Sequence, residues 1–175
     1  MTTVLPPLVQ RKTPNRSSRN GTPVTLLVWH ESAGAYAGSV SWLCNPQAQA
    51  SAHIVIREDG LQATQLVALA EKAWHAEAFN GFSVGVEHAD TLRRGYATEH
   101  QLEVSARTFA WLCHTLSVPP RWSHDGQSPG ITRHKDLGSL GGGHFQCGTD
   151  DGDWIRFLNM VHANLPWQGK KAWAR

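Results

Sequence analysis

The run VTLLVWHE, from Val24 to Glu31, sets the tightest limit on what this chain can fold into. A continuous apolar stretch rich in β-branched residues suits a strand buried on both faces, and such a strand needs cover above and below. His30 falls where this strand ends, so a polar, metal-capable side chain is delivered to the edge of an apolar core. The segment SAHIVIREDG predicts a second strand that ends in an Asp59-Gly60 turn, with a hairpin partner from Ala63 to Leu69. SVGVEHAD, from Ser83 to Asp90, predicts a third. On it Ser83, Gly85 and Glu87 share one face and Val84 and Val86 the other.

Helical spacing appears between and after these strands. Ser39 to Cys44 predicts a short helix stopped by Asn45-Pro46. From Thr98, the residues Leu102, Ala106, Phe109, Ala110, Cys113 and Leu116 form one stripe, with Thr98 and Gln101 as a capping box and Pro119-Pro120 as the stop. A last helix spans Asp153 to Leu165 and ends at Pro166. Strands interleaved with helices around one sheet make an α/β domain. With 175 residues, 41% of them hydrophobic, the chain has material for one core.

The expected boundaries are an extended basic arm over residues 1–22, a folded domain over 23–167 and a short basic tail over 168–175. The arm mixes prolines with Arg11, Lys12, Arg16 and Arg19, a composition without a face to bury. A net charge of +2 demands no nucleic-acid partner. No segment is long and apolar enough for a signal peptide or a membrane span, so the expectation is synthesis in the cytoplasm without an export address. Cys44, Cys113 and Cys147 form no disulfide framework.

The chemistry concentrates in GITRHKDLGSLGGGHFQCGTDD, residues 130–151, which gathers His134, His144 and Cys147 around a glycine-rich turn. Histidine and thiolate are preferred zinc ligands, and glycines let distant side chains converge on one ion. His30, His134 and Cys147 together make three zinc ligands with a fourth position open to water, the pattern of a catalytic site. Glu87 is the carboxylate candidate to accept a proton from that water. His53 is expected to be a buried, hydrogen-bonded structural histidine.

Four separated motifs, VTLLVWHESAG, SWLCNPQAQASAHIVIREDG, AWHAEAFNGFSVGVEHAD and TRHKDLG, resemble in this order the zinc-dependent N-acetylmuramoyl-L-alanine amidases. That family includes the type 2 amidase domains of bacteriophage endolysins and the peptidoglycan recognition proteins. The resemblance runs from about Val24 to Leu165. It implies a single domain with a central mixed β-sheet flanked by helices.

It further implies His30 and His134 as the first two zinc ligands and Cys147 as the third, with Asp150 the fallback because Gly148 stands where proline is usual. Glu87 matches the acid/base glutamate. Phe145 occupies the place of an oxyanion-stabilising residue, which makes His144 the nearest polar substitute. Trp74, His75 and Asn80 lie in a segment that borders the substrate groove.

The reaction implied is hydrolysis of the amide between N-acetylmuramic acid and L-alanine of the peptidoglycan stem, by a monomer that needs no organic cofactor. The setting implied is a phage or prophage endolysin that reaches the wall after the membrane is breached. A cytosolic recycling amidase, a non-catalytic peptidoglycan-binding module and a peptidase acting elsewhere on the stem are the alternatives.

Overall fold

A computed structural model describes residues 8–92 and 95–165. Its centre is the strand the apolar run predicts, β3 (Leu26–Glu31). Leu26, Leu27, Val28 and Trp29 on it are fully buried, and each contributes about 1.5–3 kcal/mol of burial. Alternation sends Leu27 and Trp29 into one core and Leu26 and Val28 into another.

Around β3 lies a six-stranded mixed sheet built from β1 (Leu8–Gln10), β4 (Ile54–Ile56), β5 (Ala63–Gln65), β7 (Ser83–His88) and β8 (Gly130–Arg133), in the order β1-β5-β4-β7-β3-β8. The β4–β5 pair is antiparallel, joined through the Asp59-Gly60 turn, and the other pairings are parallel. Gly60 has φ +71°, the left-handed conformation that such a turn requires. A separate two-stranded antiparallel ribbon joins β2 (Arg16–Ser18) to β6 (Glu71–Ala73).

Helices cover both faces of the sheet. α2 (Glu99–Leu116) and α3 (Asp151–Asn164) pack Phe109, Trp154 and Phe157 against Trp29. On the opposite side α1 (Tyr36–Leu43) sets Val40 and Leu43 against Val55. The predicted Thr98–Gln101 box caps α2 in a modified form. Thr98 accepts from the Gln101 backbone N–H at 3.1 Å, whereas the Gln101 carboxamide accepts from Ala97, one residue before the cap. No helix among the described residues is long and apolar enough to cross a membrane.

The N-terminal arm needs correction. Residues 8–19 belong to the folded body, as β1 on the sheet edge and β2 in the ribbon. Thr13, Asn15 and Arg19 are buried there without any apolar periodicity, because their polar groups satisfy backbone carbonyls of the elements and loops packed on them. Thr13 donates to Leu43 O at 2.6 Å, Asn15 to Asn45 O at 2.8 Å and Ala50 O at 3.0 Å, and Arg19 to Gly81 O at 2.8 Å and Glu71 O at 2.7 Å. Arg16 is ion-paired with Glu71 at 2.9 Å. Residues 1–7 and the expected tail over 168–175 lie outside the described residues.

Candidate active site

Parallel pairing brings the polar residues together at the C-terminal ends of adjacent strands. On β3, His30 stands directly opposite Glu87 of β7. On the other side Trp29 pairs with Arg133, the last residue of β8, so His134 follows one step beyond the sheet beside His30, with ring centroids 4.3 Å apart. The C-terminal edge of parallel strands is where open α/β sheets place their ligands.

The loop after β8 supplies the third group. His134 begins a kinked 3-10 segment, His134–Gly141, and the chain then turns through Gly142 at φ +96° toward Cys147. Arg133 locks this loop to the body. Its guanidinium pairs with both Asp136 oxygens at 2.9 Å, with Asp151 at 2.7 Å and with Thr149 O at 3.0 Å, and it lies over the Trp122 ring at 4.9 Å and the Trp154 ring at 5.5 Å. The return places Cys147 Sγ 3.3 Å from the Glu31 N–H and 4.0 Å from His30 Nδ1.

One ligand atom from each of His30, His134 and Cys147 lies within 4.8 Å of the other two. His134 Nε2 donates to Gly141 O at 2.7 Å, which leaves Nδ1 bare for coordination. Asp150 is committed elsewhere: it caps α3, accepting from the Asp153 N–H at 2.8 Å. The candidate ligands that the structure brings together are His30, His134 and Cys147.

Glu87 Oε1 is 4.0 Å from His30 Nδ1, and its other oxygen is buried without a hydrogen-bond partner. No arginine or lysine ion-pairs with it among the described residues. Burial, and then the neighbouring Glu31 carboxylate, push the Glu87 carboxyl up to about 8. Burial, and then Glu87, also raise the Cys147 thiol above its ordinary range. Burial depresses the histidines, His134 to about 4 and His30 well below its usual value, where His134 and His75 add repulsion. Every shift favours the neutral form. A divalent cation held by these three ligands reverses that electrostatic balance, and the orphaned Glu87 oxygen and soft thiol donor fit zinc.

The remaining expected site residues border one cleft of about 1010 Å³ above this cluster. His144 is exposed on its wall, stacked on His134 with centroids 4.6 Å apart. Trp74 lines the cleft with its indole N–H tied to Ser17 Oγ at 3.1 Å. Asn80 accepts from the backbone N–H groups of His75 and Ala76 at 2.8 and 2.7 Å, which shapes the turn of that wall. His75 also borders the cleft, but both its ring nitrogens are engaged within the protein, by His30 and Ser83. His53 is fully buried and accepts from the Gly85 N–H, as a structural histidine does.

The family model for N-acetylmuramoyl-L-alanine amidase matches residues 20–146. The chain belongs to that family. This amidase is 32% identical over 147 residues to N-acetylmuramoyl-L-alanine amidase A of Achromobacter lyticus, covering 78% of its own length and 82% of the relative's. Its fold is similar to that of the Staphylococcus aureus hydrolase AmiA in complex with its ligand, at a TM-score of 0.70 and 16% identity over 94% of this chain and 89% of that one. It is also similar to a mutant endolysin from Bacillus subtilis, at 0.67 and 18% identity over 90% and 99%. The amidase has the expected single α/β domain with a central mixed sheet, and it acts on peptidoglycan.

The family match ends at Gln146 and begins at Asn20, so it reaches neither Cys147 nor the ribbon strand β2. The contact of Glu31 with Cys147 and the inward setting of His75 were missed from sequence. Both depend on how distant loops return to the strand ends, for which the chain carries no local signal.

Proposed function

We propose that this amidase is zinc-dependent, that His30, His134 and Cys147 hold the ion, and that it cleaves the amide between N-acetylmuramic acid and L-alanine. The observation that carries the reading is the convergence of those three donors, within 4.8 Å of one another, beside the unpartnered Glu87 oxygen. Zinc, when bound there, supplies Lewis acidity that polarises a carbonyl and acidifies water.

The chain's own residues perform the proton traffic and the positioning. Glu87 accepts the proton of the attacking water and returns it to the leaving L-alanine amine. Burial raises its proton affinity and a cation held beside it would lower it again, which would leave the carboxylate free to accept that proton. His144, on the cleft wall, donates to the oxygen on which charge develops. Trp74 presents apolar surface to the sugar or peptide.

The setting in this reading is a phage or prophage endolysin that attacks intact wall. What supports it is the open cleft with Trp42 and Phe145 at its margin, 55% and 62% exposed, which offers a polymer apolar surface to lie on. Release of peptides from intact sacculi, compared with cleavage of soluble muropeptides, tests the setting. Efficient release from sacculi is expected. An enzyme that cleaves only the soluble fragments contradicts the endolysin setting and supports recycling.

A further inference from the structure

β7 offers Ser83, Gly85 and Glu87 on the face that carries the ligand cluster, and the chemistry above uses only Glu87. The other two residues both meet His75. Ser83 Oγ lies 3.1 Å from His75 Nε2 and donates to Phe79 O at 2.7 Å. Gly85 supplies room, since a Cβ there would sit 2.6 Å from His75 Nδ1 and 2.7 Å from its Cγ. The imidazole thus rests against bare backbone. Its Nδ1 is 2.9 Å from His30 Nε2, with the two ring planes at 82°.

Counting protons gives this chain of contacts a direction. A carbonyl only accepts, so the single Ser83 hydroxyl proton goes to Phe79 O, and Ser83 is left to accept from His75 Nε2–H. Neutral His75 then has a bare Nδ1, which accepts from His30 Nε2–H. Neutral His30 is left with a bare Nδ1, the atom that faces Cys147 Sγ and Glu87 Oε1. A His75 of the opposite tautomer would donate to His30 and put a proton on the nitrogen that must coordinate.

We propose that His75, held by Ser83 and given space by Gly85, is a positioning residue that fixes the tautomer and ring orientation of His30 for metal binding. This rests on the reading of His30, His134 and Cys147 as a zinc site. The partner of a ligating histidine is commonly a carboxylate, backbone carbonyl or water, and its loss typically costs about 10–100-fold in metal affinity. Here a second histidine takes that role, anchored through a serine to backbone.

Zinc affinity of the full chain, measured by competition with a chelator, tests this without relying on turnover. His75→Leu and Ser83→Ala should each weaken zinc binding, the first by roughly 10–100-fold. His75→Asn, whose carboxamide oxygen falls near the Nδ1 position and still accepts from His30, should bind more tightly than His75→Leu. Melting of each zinc-free variant separates loss of ligand orientation from loss of fold, and Ser83→Ala serves if His75→Leu does not fold. Tight zinc binding by the unaltered chain, with equal affinity in His75→Leu or with no advantage of asparagine over leucine, overturns the role of His75 alone. An unaltered chain with no affinity for zinc overturns the zinc reading and this role with it.

Discussion

Replacing Glu87 with glutamine is expected to lower turnover by about 10²–10⁴-fold, the range for losing a general base. The amide keeps the side chain's size and one acceptor but takes up no proton. The fold should not be weakened. Glu87 has no cationic partner to orphan among the described residues, since burial holds His30, 4.0 Å away, in its neutral form, and with its carboxyl pushed up to about 8 it already carries a proton in the zinc-free protein near neutral pH. The linkage has a definite sign. Folded Glu87 holds its proton more tightly than the unfolded chain does, so its contribution to stability is present below about 4.5 and is lost as pH rises through about 8. Zinc-free Glu87→Gln should therefore gain in melting temperature relative to the unaltered protein as pH rises through that window. A stable variant with near-normal turnover would remove Glu87 from the chemistry and direct attention to His144.

Cys147→Ser is expected to lose zinc and activity together, from about one ion per chain to near none. A neutral hydroxyl is a far poorer donor than a thiolate, and the two remaining ligands are both neutral imidazoles. Asp150→Asn should keep its metal and nearly all its stability, because Asp150 serves as the cap of α3 and asparagine caps about as well. Elemental analysis beside an activity assay distinguishes the two variants. Metal retained in Cys147→Ser and lost in Asp150→Asn would move the third ligand to Asp150.

The parts of this molecule that were legible in its sequence are those whose burial leaves a periodic trace. β3 and β7 announce themselves by apolar runs and alternation, and α2 by a stripe with a cap at Thr98. Because β3 is an apolar run and β7 alternates, the strands that carry His30 and Glu87 could be recognised, and the structure sets these two residues opposite one another. The N-terminal strands could not be read this way. Arg16–Ser18 is polar throughout, and Thr13, Asn15 and Arg19 are buried by hydrogen bonds to backbone carbonyls 28 to 62 residues away, which no pattern of hydropathy records.

β8 was hidden for a related reason. Gly130–Arg133 is four residues long and opens on a glycine, yet it is fully buried beside β3 and delivers His134 to the cluster. The glycine-rich segment after it looks like an open turn in sequence but contains a 3-10 segment, held to the body by Arg133. His75 illustrates the limit most sharply. Its place beside the groove was legible from the motif, whereas its orientation toward His30 depends on the missing side chain at Gly85.

The most direct test of a zinc-dependent amidase with this ligand set is to digest peptidoglycan with the zinc-loaded chain and identify the new amino termini. The account predicts free L-alanine amino groups on intact stem peptides, abolished by a chelator and restored by added zinc. New amino termini at residues inside the stem, or full release of L-alanine termini from the chelated enzyme, would contradict it.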